Sequence, residues 1–151
     1  MTIKIIAIGK KHENWIKDGI DRYQTRLRKP WDTTWTYLPH SSLAEETART
    51  EESRRILQKI DPNDYLILLD ERGKNLTSPA LAHRLETQLN FKKIVIVIGG
   101  AYGVDDSVRT RANTIWSLSN LVFPHQLVRL ILTEQIYRAQ EITAGRPYHH
   151  S

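Results

Sequence analysis

The sequence predicts an α/β fold, a mainly parallel sheet covered by helices on both faces. Three observations predict it. The apolar, β-branched runs at residues 2–8, 65–69 and 93–98 show no polar alternation, which marks strands buried on both sides. Segments with helical spacing of apolar residues separate them, the order that βαβ crossovers produce. Glycine, proline and Asp-Pro-Asn clusters punctuate the junctions.

Each element follows from its residues. Residues 2–8 form a buried strand that Gly9 ends. Residues 12–27 place Trp15, Ile16, Ile20, Tyr23 and Leu27 at helical spacing, with Lys17, Arg22 and Arg26 left for the outer surface, and Pro30 stops the helix. Residues 33–38 alternate and are aromatic and β-branched, a second strand. Ser41 or Ser42 offers a cap for a polar helix over 43–60, whose Glu45, Glu46, Arg49, Glu51, Glu52, Arg54 and Arg55 read as a solvated face. The turn Asp61-Pro62-Asn63-Asp64 leads into strand 65–69, which runs into a strand-end turn, Asp70-Glu71-Arg72-Gly73-Lys74. Thr77 or Ser78 before Pro79 starts a helix carrying Leu81, Leu85 and Leu89. The strand at 93–98 ends in Gly99-Gly100-Ala101-Tyr102-Gly103. Asp105 or Asp106 opens a short helix to about Asn113, and residues 115–123 read as semi-extended. Pro124 then precedes a helix over 125–144, closed by Gly145 and Pro147.

The 151 residues suit one domain over 1–151, with no repeat, linker or low-complexity segment. Without cysteine, the chain has no disulfide, thiolate zinc site or cysteine nucleophile. Its longest apolar runs fall far short of a membrane span, and the N-terminus enters a strand directly, without a signal-peptide layout. The expectation is a soluble cytoplasmic protein with no membrane partner and no metal. Residues 1–30 hold eight Lys or Arg against Glu13, Asp18 and Asp21, which accounts for the whole formal excess of +5. One basic face suits a polyanion, and nucleic acid is the commonest of these.

Four segments are candidates for chemistry. The glycine turn at 99–103 ends the most buried strand, where open α/β sheets place ligands, but it is neither a dinucleotide fingerprint nor a P-loop. It reads equally as a tight strand-to-helix turn. The Asp70–Lys74 segment puts carboxylates and cations at a neighbouring strand end, or forms a solvated turn. The last helix carries Leu127, Val128, Leu130, Ile131 and Leu132 around almost its whole circumference, which predicts cover from a second subunit. Its Glu134 and Arg138 are spaced for an ion pair. The tail Pro147-Tyr148-His149-His150 offers an aromatic ring beside imidazoles, suited to a base and a phosphate, whereas two histidines alone make a poor metal site.

Taken together, these segments resemble the small SPOUT-class methyltransferases of the RlmH type, which methylate N3 of a pseudouridine in 23S ribosomal RNA. The resemblance spans essentially the whole chain. It rests on Ile5-Ile6-Ala7-Ile8-Gly9-Lys10, Leu69-Asp70-Glu71-Arg72-Gly73-Lys74, Val97-Ile98-Gly99-Gly100-Ala101-Tyr102-Gly103 and Trp116-Ser117-Leu118-Ser119. It continues through Phe123-Pro124-His125-Gln126-Leu127-Val128-Arg129, Glu134-Gln135-Ile136-Tyr137-Arg138-Ala139 and Pro147-Tyr148-His149.

The resemblance implies a C-terminal trefoil knot, a homodimer, S-adenosylmethionine as cofactor, and an active site at the subunit interface, without a separate RNA-binding domain. Cofactor contacts map onto Leu69, Gly99, Gly100, Leu118, Ser119, Asn120, Leu121, Val122 and Phe123. Arg138, Tyr148 and His149 map to the catalytic side. Lys10, Lys11, Lys17, Arg22, His125, Arg129 and Tyr137 map to the RNA-facing side. The assembled ribosome is the implied substrate. His150 departs from the family, which more often has Arg or Lys there. Three other readings stay open on the residues alone: a non-catalytic RNA-binding or ribosome-assembly factor of the same fold, a SPOUT enzyme acting on tRNA, and a nucleotide- or flavin-binding domain using the glycine turn.

Overall fold

The computed structural model describes residues 2–150. Five strands, β1 (Ile3–Ile8), β2 (Thr33–Leu38), β3 (Tyr65–Asn75), β4 (Ile94–Ile98) and β5 (Thr114–Ser117), form one sheet in the order β2-β1-β4-β3-β5. Every pairing is parallel. The intervening helices are α1 (Asn14–Gln24), α2 (Glu45–Leu57), α3 (Ser78–Leu89), α4 (Asp106–Arg111) and α5 (His125–Thr143).

Strand alternation divides the core. Ile3, Ile5 and Ala7 face Leu81, Leu85, Leu89, Leu132 and Ile136 from α3 and α5. Ile6 and Ile8 face Ile56, Val104 and Val108 on the side of α2 and α4. The unalternating apolar runs therefore mean what they predict, strands covered on both faces. Each fully buried Ile or Leu contributes about 1.5–3 kcal/mol. On α1, Gly19 is the point of contact with α5, because a Cβ there would stand 2.8 Å from the Leu130 side chain.

The structure departs from the sequence reading in three places. Segment 70–74 is not a turn. β3 runs on to Asn75, and both Leu69 and Lys74 pair with Trp116 of β5, so Asp70–Gly73 make an excursion between them. Gly73 crosses β5 so closely that a Cβ would stand 2.6 Å from the Ile115 carbonyl carbon and oxygen. α2 starts at Glu45 with no side-chain cap, because Ser41 Oγ accepts instead from Leu43 N–H. Its face is not wholly solvated, since Glu52 is only 3% exposed. On α5, by contrast, Leu127, Val128, Leu130 and Ile131 are half-buried, in keeping with a helix whose cover the chain does not complete by itself.

The end of α5 carries a buried carboxylate. Glu141 accepts from Tyr137 Oη at 2.9 Å and from the Arg146 guanidinium. Burial alone would raise its pKa, but the hydrogen bonds from Arg146 and Tyr137 and the Arg146 charge outweigh it and leave the carboxyl below its usual range. The resulting stabilisation is complete above the ordinary glutamate pKa of about 4.3 and is lost as pH falls through the depressed value. Glu141→Gln is expected to lower the urea midpoint at neutral pH and to flatten the acid limb of the stability profile. Parallel acid limbs for the two proteins would contradict this.

Candidate active site

The carboxyl ends of β3, β4 and β5 enclose a cavity of about 360 Å³. Its walls come from three separate segments. Leu69 with Asp70, Glu71 and Arg72 comes from β3 and its excursion, residues 98–104 from the glycine turn with Arg109 just beyond it, and Trp116–Ser119 with Leu121, Val122, Phe123, His125 and Val128 from β5 and the entry to α5. Glycine is required at the back wall, where a Cβ on Gly100 would stand 2.7 Å from Glu52 Oε1 and 3.1 Å from Ile8 Cγ2. Gly103 has φ +74 and donates its N–H to Gly100 O at 2.9 Å, which closes the turn.

One ion pair ties two of these walls together. Arg109 of α4 donates to Asp70 Oδ2 through Nε (3.1 Å) and Nη2 (3.0 Å), while Asp70 Oδ1 accepts from Arg72 N–H at 2.9 Å. The Asp70 carboxylate thus braces its own excursion and anchors it to the helix that follows the glycine turn. Arg109 was not among the residues the sequence singled out. The available signal was a cation in the last turn of a short helix.

Of the expected cofactor contacts, Leu69, Gly99, Gly100, Leu118, Ser119, Leu121, Val122 and Phe123 line this cavity, and Asn120 does not. The fit to an adenosyl group is chemical as well as spatial. The lining pairs backbone and small residues with the apolar faces of Leu69, Trp116, Leu118 and Phe123, and the volume lies in the range of small-molecule sites. The buried Trp116 Nε1–H has no partner among the described residues, an unspent donor in the wall.

Arg138, Tyr148 and His149 assemble elsewhere, around Glu134. The Glu134 carboxylate accepts from Arg138 Nη2 at 2.8 Å and from Tyr148 Oη at 2.8 Å. Arg138 Nη1 lies 3.1 Å from His149 Nδ1, and its guanidinium stacks 4.8 Å from the Tyr148 ring centre. Burial and the Glu134 carboxylate hold the Tyr148 phenol protonated, with its pKa raised far above the usual value. None of these three side chains lines the cavity.

The basic residues Lys10, Lys11, Lys17 and Arg22 are exposed, and Lys17 pairs with Asp21 at 3.1 Å. His125 is exposed at the cavity rim. Two residues expected on the RNA-facing side turn inward instead. Arg129 is 3% exposed and donates to the Ile8 and Gly9 carbonyl oxygens at 3.1 and 2.8 Å, tying α5 to the end of β1. Tyr137 is 9% exposed, packs edge-on against Tyr148 and donates to Glu141. Tyr137 spends its hydroxyl within the chain, and of the Arg129 nitrogens only the buried Nε has no partner among the described residues. His12 and His40, which close around Arg129, were missed. They stand just beyond the ends of neighbouring parallel strands, where side chains converge.

A family profile described as predicted SPOUT methyltransferase matches residues 1–149. Proteins named ribosomal RNA large subunit methyltransferase H from Geobacter metallireducens and Geotalea daltonii are 44% and 40% identical to this chain. The alignments cover 100% and 99% of it and 100% of each relative. The protein of that name from Francisella tularensis subsp. novicida is 38% identical, with 99% of both chains covered. A solved structure described as a probable methylase family protein from Haemophilus influenzae Rd KW20 gives a TM-score of 0.58. That match covers 99% of this chain and 70% of that one at 13% identity, and it speaks for the fold alone. A match over nearly every residue, with a ligand-sized cavity at the strand ends, makes this chain a member of the SPOUT methyltransferase family.

Proposed function

We propose that the chain is an S-adenosylmethionine-dependent enzyme that methylates N3 of a pseudouridine in 23S ribosomal RNA, acting on the assembled ribosome as a homodimer. The observation that carries the reading is the separation of two half-sites on one helix. Val128 lines the cavity and Arg138 centres the tail cluster, ten residues apart on α5, or about 15 Å of helical rise. Arg138 is held back by Glu134 and His149, so one chain does not bring both halves to one methyl group.

A second copy running antiparallel along α5 solves this. With the two-fold axis beside Ile131, Arg138 of the partner subunit comes level with His125. The half-buried Leu127, Leu130 and Ile131 belong to neither core cluster and supply the apolar contact such a pairing needs. The exposed Lys10, Lys11, Lys17 and Arg22 supply phosphate contacts. A C-terminal knot fits the close crossing of Gly73 over β5 just before the chain turns into residues 118–124.

S-adenosylmethionine, when bound, supplies a methyl group on a sulfonium for in-line displacement. The residues of the chain do the rest. Gly99, Gly100 and Leu118 would hold the donor through backbone groups, and Leu69 and Phe123 would exclude water from it. Arg138 stabilises the imide anion formed when N3 gives its proton to solvent. His149 and Tyr148 order the base, and Tyr148 stays a hydrogen-bond donor because its phenol keeps its proton.

The test is transfer of labelled methyl to ribosomes lacking this modification, with the base then mapped. Label at one pseudouridine N3 is expected. Cofactor-induced thermal stabilisation without transfer to ribosomes or rRNA would overturn the substrate assignment, and no stabilisation at all would point to a non-catalytic binder.

A further inference from the structure

We propose that His12, His40 and His125, set over the buried guanidinium of Arg129, form a phosphate-binding site at the rim of the methyl-donor cavity, and that it takes a backbone phosphodiester beside the target base. This rests on the RNA-methylating reading above and adds a site to it. The starting observation is a cation without a counter-ion. Arg109, Arg138, Arg146 and Arg55 each pair with a carboxylate. Arg129, 3% exposed, has no carboxylate within 4.0 Å among the described residues, and its Nε has no hydrogen-bond partner. A buried, unneutralised guanidinium is costly, and an anion nearby offsets that cost.

One imidazole touches it and two more lie nearby. Arg129 Nη1 lies 3.0 Å from His12 Nδ1. A guanidinium only donates, so Nδ1 accepts and His12 carries its proton on Nε2, the ring's remaining donor. His40 and Arg129 both approach Gly9, where a Cβ would stand 2.8 Å from His40 Nε2 and 3.3 Å from Arg129 Nη2. Gly9, with φ +106, is the residue that permits this approach. His125 lies one helical turn before Arg129 on α5, hence on the same face.

His125 also opens a helix of 19 residues whose N-cap, Pro124, gives no side-chain hydrogen bond, so the positive end of α5 adds to the same field. Partial burial and then the Arg129 charge lower the pKa of both His12 and His125, against the opposing pull of the Asp21 and Glu71 carboxylates. The carboxylate nearest His40 belongs to Glu52, whose Oε2 stands 4.0 Å away and already accepts from Ser41 N–H. His125 borders the cavity, so a phosphate held here would bring its own nucleotide's base toward the methyl donor.

Histidine-resolved NMR of the full chain, titrated separately with inorganic phosphate and with the dinucleotide uridylyl-uridine, tests the site. The ring signals of His12, His40 and His125 are expected to move together and saturate with both probes, while those of His83 and His150 stay. Movement with free phosphate alone would make this an adventitious ion site only, and no movement, or equal movement of all six histidines, would overturn the proposal. The double variant His12→Gln/His40→Gln is expected to raise KM for ribosomes about tenfold while leaving the S-adenosylmethionine Kd unchanged. A weakened cofactor Kd would give the site to the cofactor's carboxylate, and an unchanged KM would also contradict the proposal. Absence of methyl transfer by the unaltered protein would remove the RNA reading and leave the NMR result standing by itself.

Discussion

Replacing Arg138 with alanine is expected to lower methyl transfer by about 10²–10³-fold while S-adenosylmethionine binding persists, the size of effect seen when a preorganised charge stabiliser is lost. The separation follows from geometry. The cofactor cavity takes its lining from residues 69–128 and none from the Arg138 cluster. Arg138 is positioned on both sides, by the Glu134 carboxylate and by His149. Arg138→Lys keeps the charge and loses the fork that meets Glu134 and His149 together, so it should recover only part of the rate. Single-turnover transfer and calorimetric cofactor binding, measured on the same preparations, check both halves. Full activity in Arg138→Ala would remove the residue from the reaction.

Gly73→Ala is expected to cost stability out of proportion to one methyl group, about 3 kcal/mol or more, and to abolish cofactor binding in whatever remains folded. The added Cβ would meet the backbone of Ile115 and Trp116 at 2.6–2.7 Å, and backbone inside a parallel ladder has no rotamer to change. Relief requires parting β3 from β5, the two strands whose ends form opposite walls of the cavity. Gly103→Ala is the contrast. Nothing lies within 4 Å of its Cβ position, so its cost is only that of a positive φ. Denaturant midpoints for the two variants should differ widely, and equal midpoints would contradict the close crossing.

Sequence and structure agree where burial alone decides. The strands at 3–8, 33–38 and 94–98 stand out because apolar, β-branched residues dominate them or because they alternate with aromatic, β-branched residues. Thr77 caps α3 through Ala80 N–H, as the Thr-Ser-Pro signal implies. Agreement fails where a long-range contact overrides a local preference. Asp-Glu-Arg-Gly-Lys has the composition of a turn, yet its return to Trp116 makes it a strand excursion. Glu52 lies among charges that look solvated, yet it is buried beneath Gly100. Arg129 shares the spacing of outward-facing cations, but its partners are the Ile8 and Gly9 carbonyls 120 or more residues away, a pairing no local pattern contains. The cavity residues were legible through family resemblance, because backbone groups that grip a ligand leave little side-chain signature.

The most direct measurement mixes two inactive proteins. Leu118→Trp fills the cavity with an indole, Arg138→Ala empties the other half-site, and neither homodimer should transfer methyl. If each reaction centre takes its cavity from one subunit and its arginine from the other, every mixed dimer holds one intact centre, and random reassociation restores about a quarter of full activity. If cavity and arginine must come from the same chain, no centre in the mixture is whole. Activity that stays at the level of the separate variants would contradict the account.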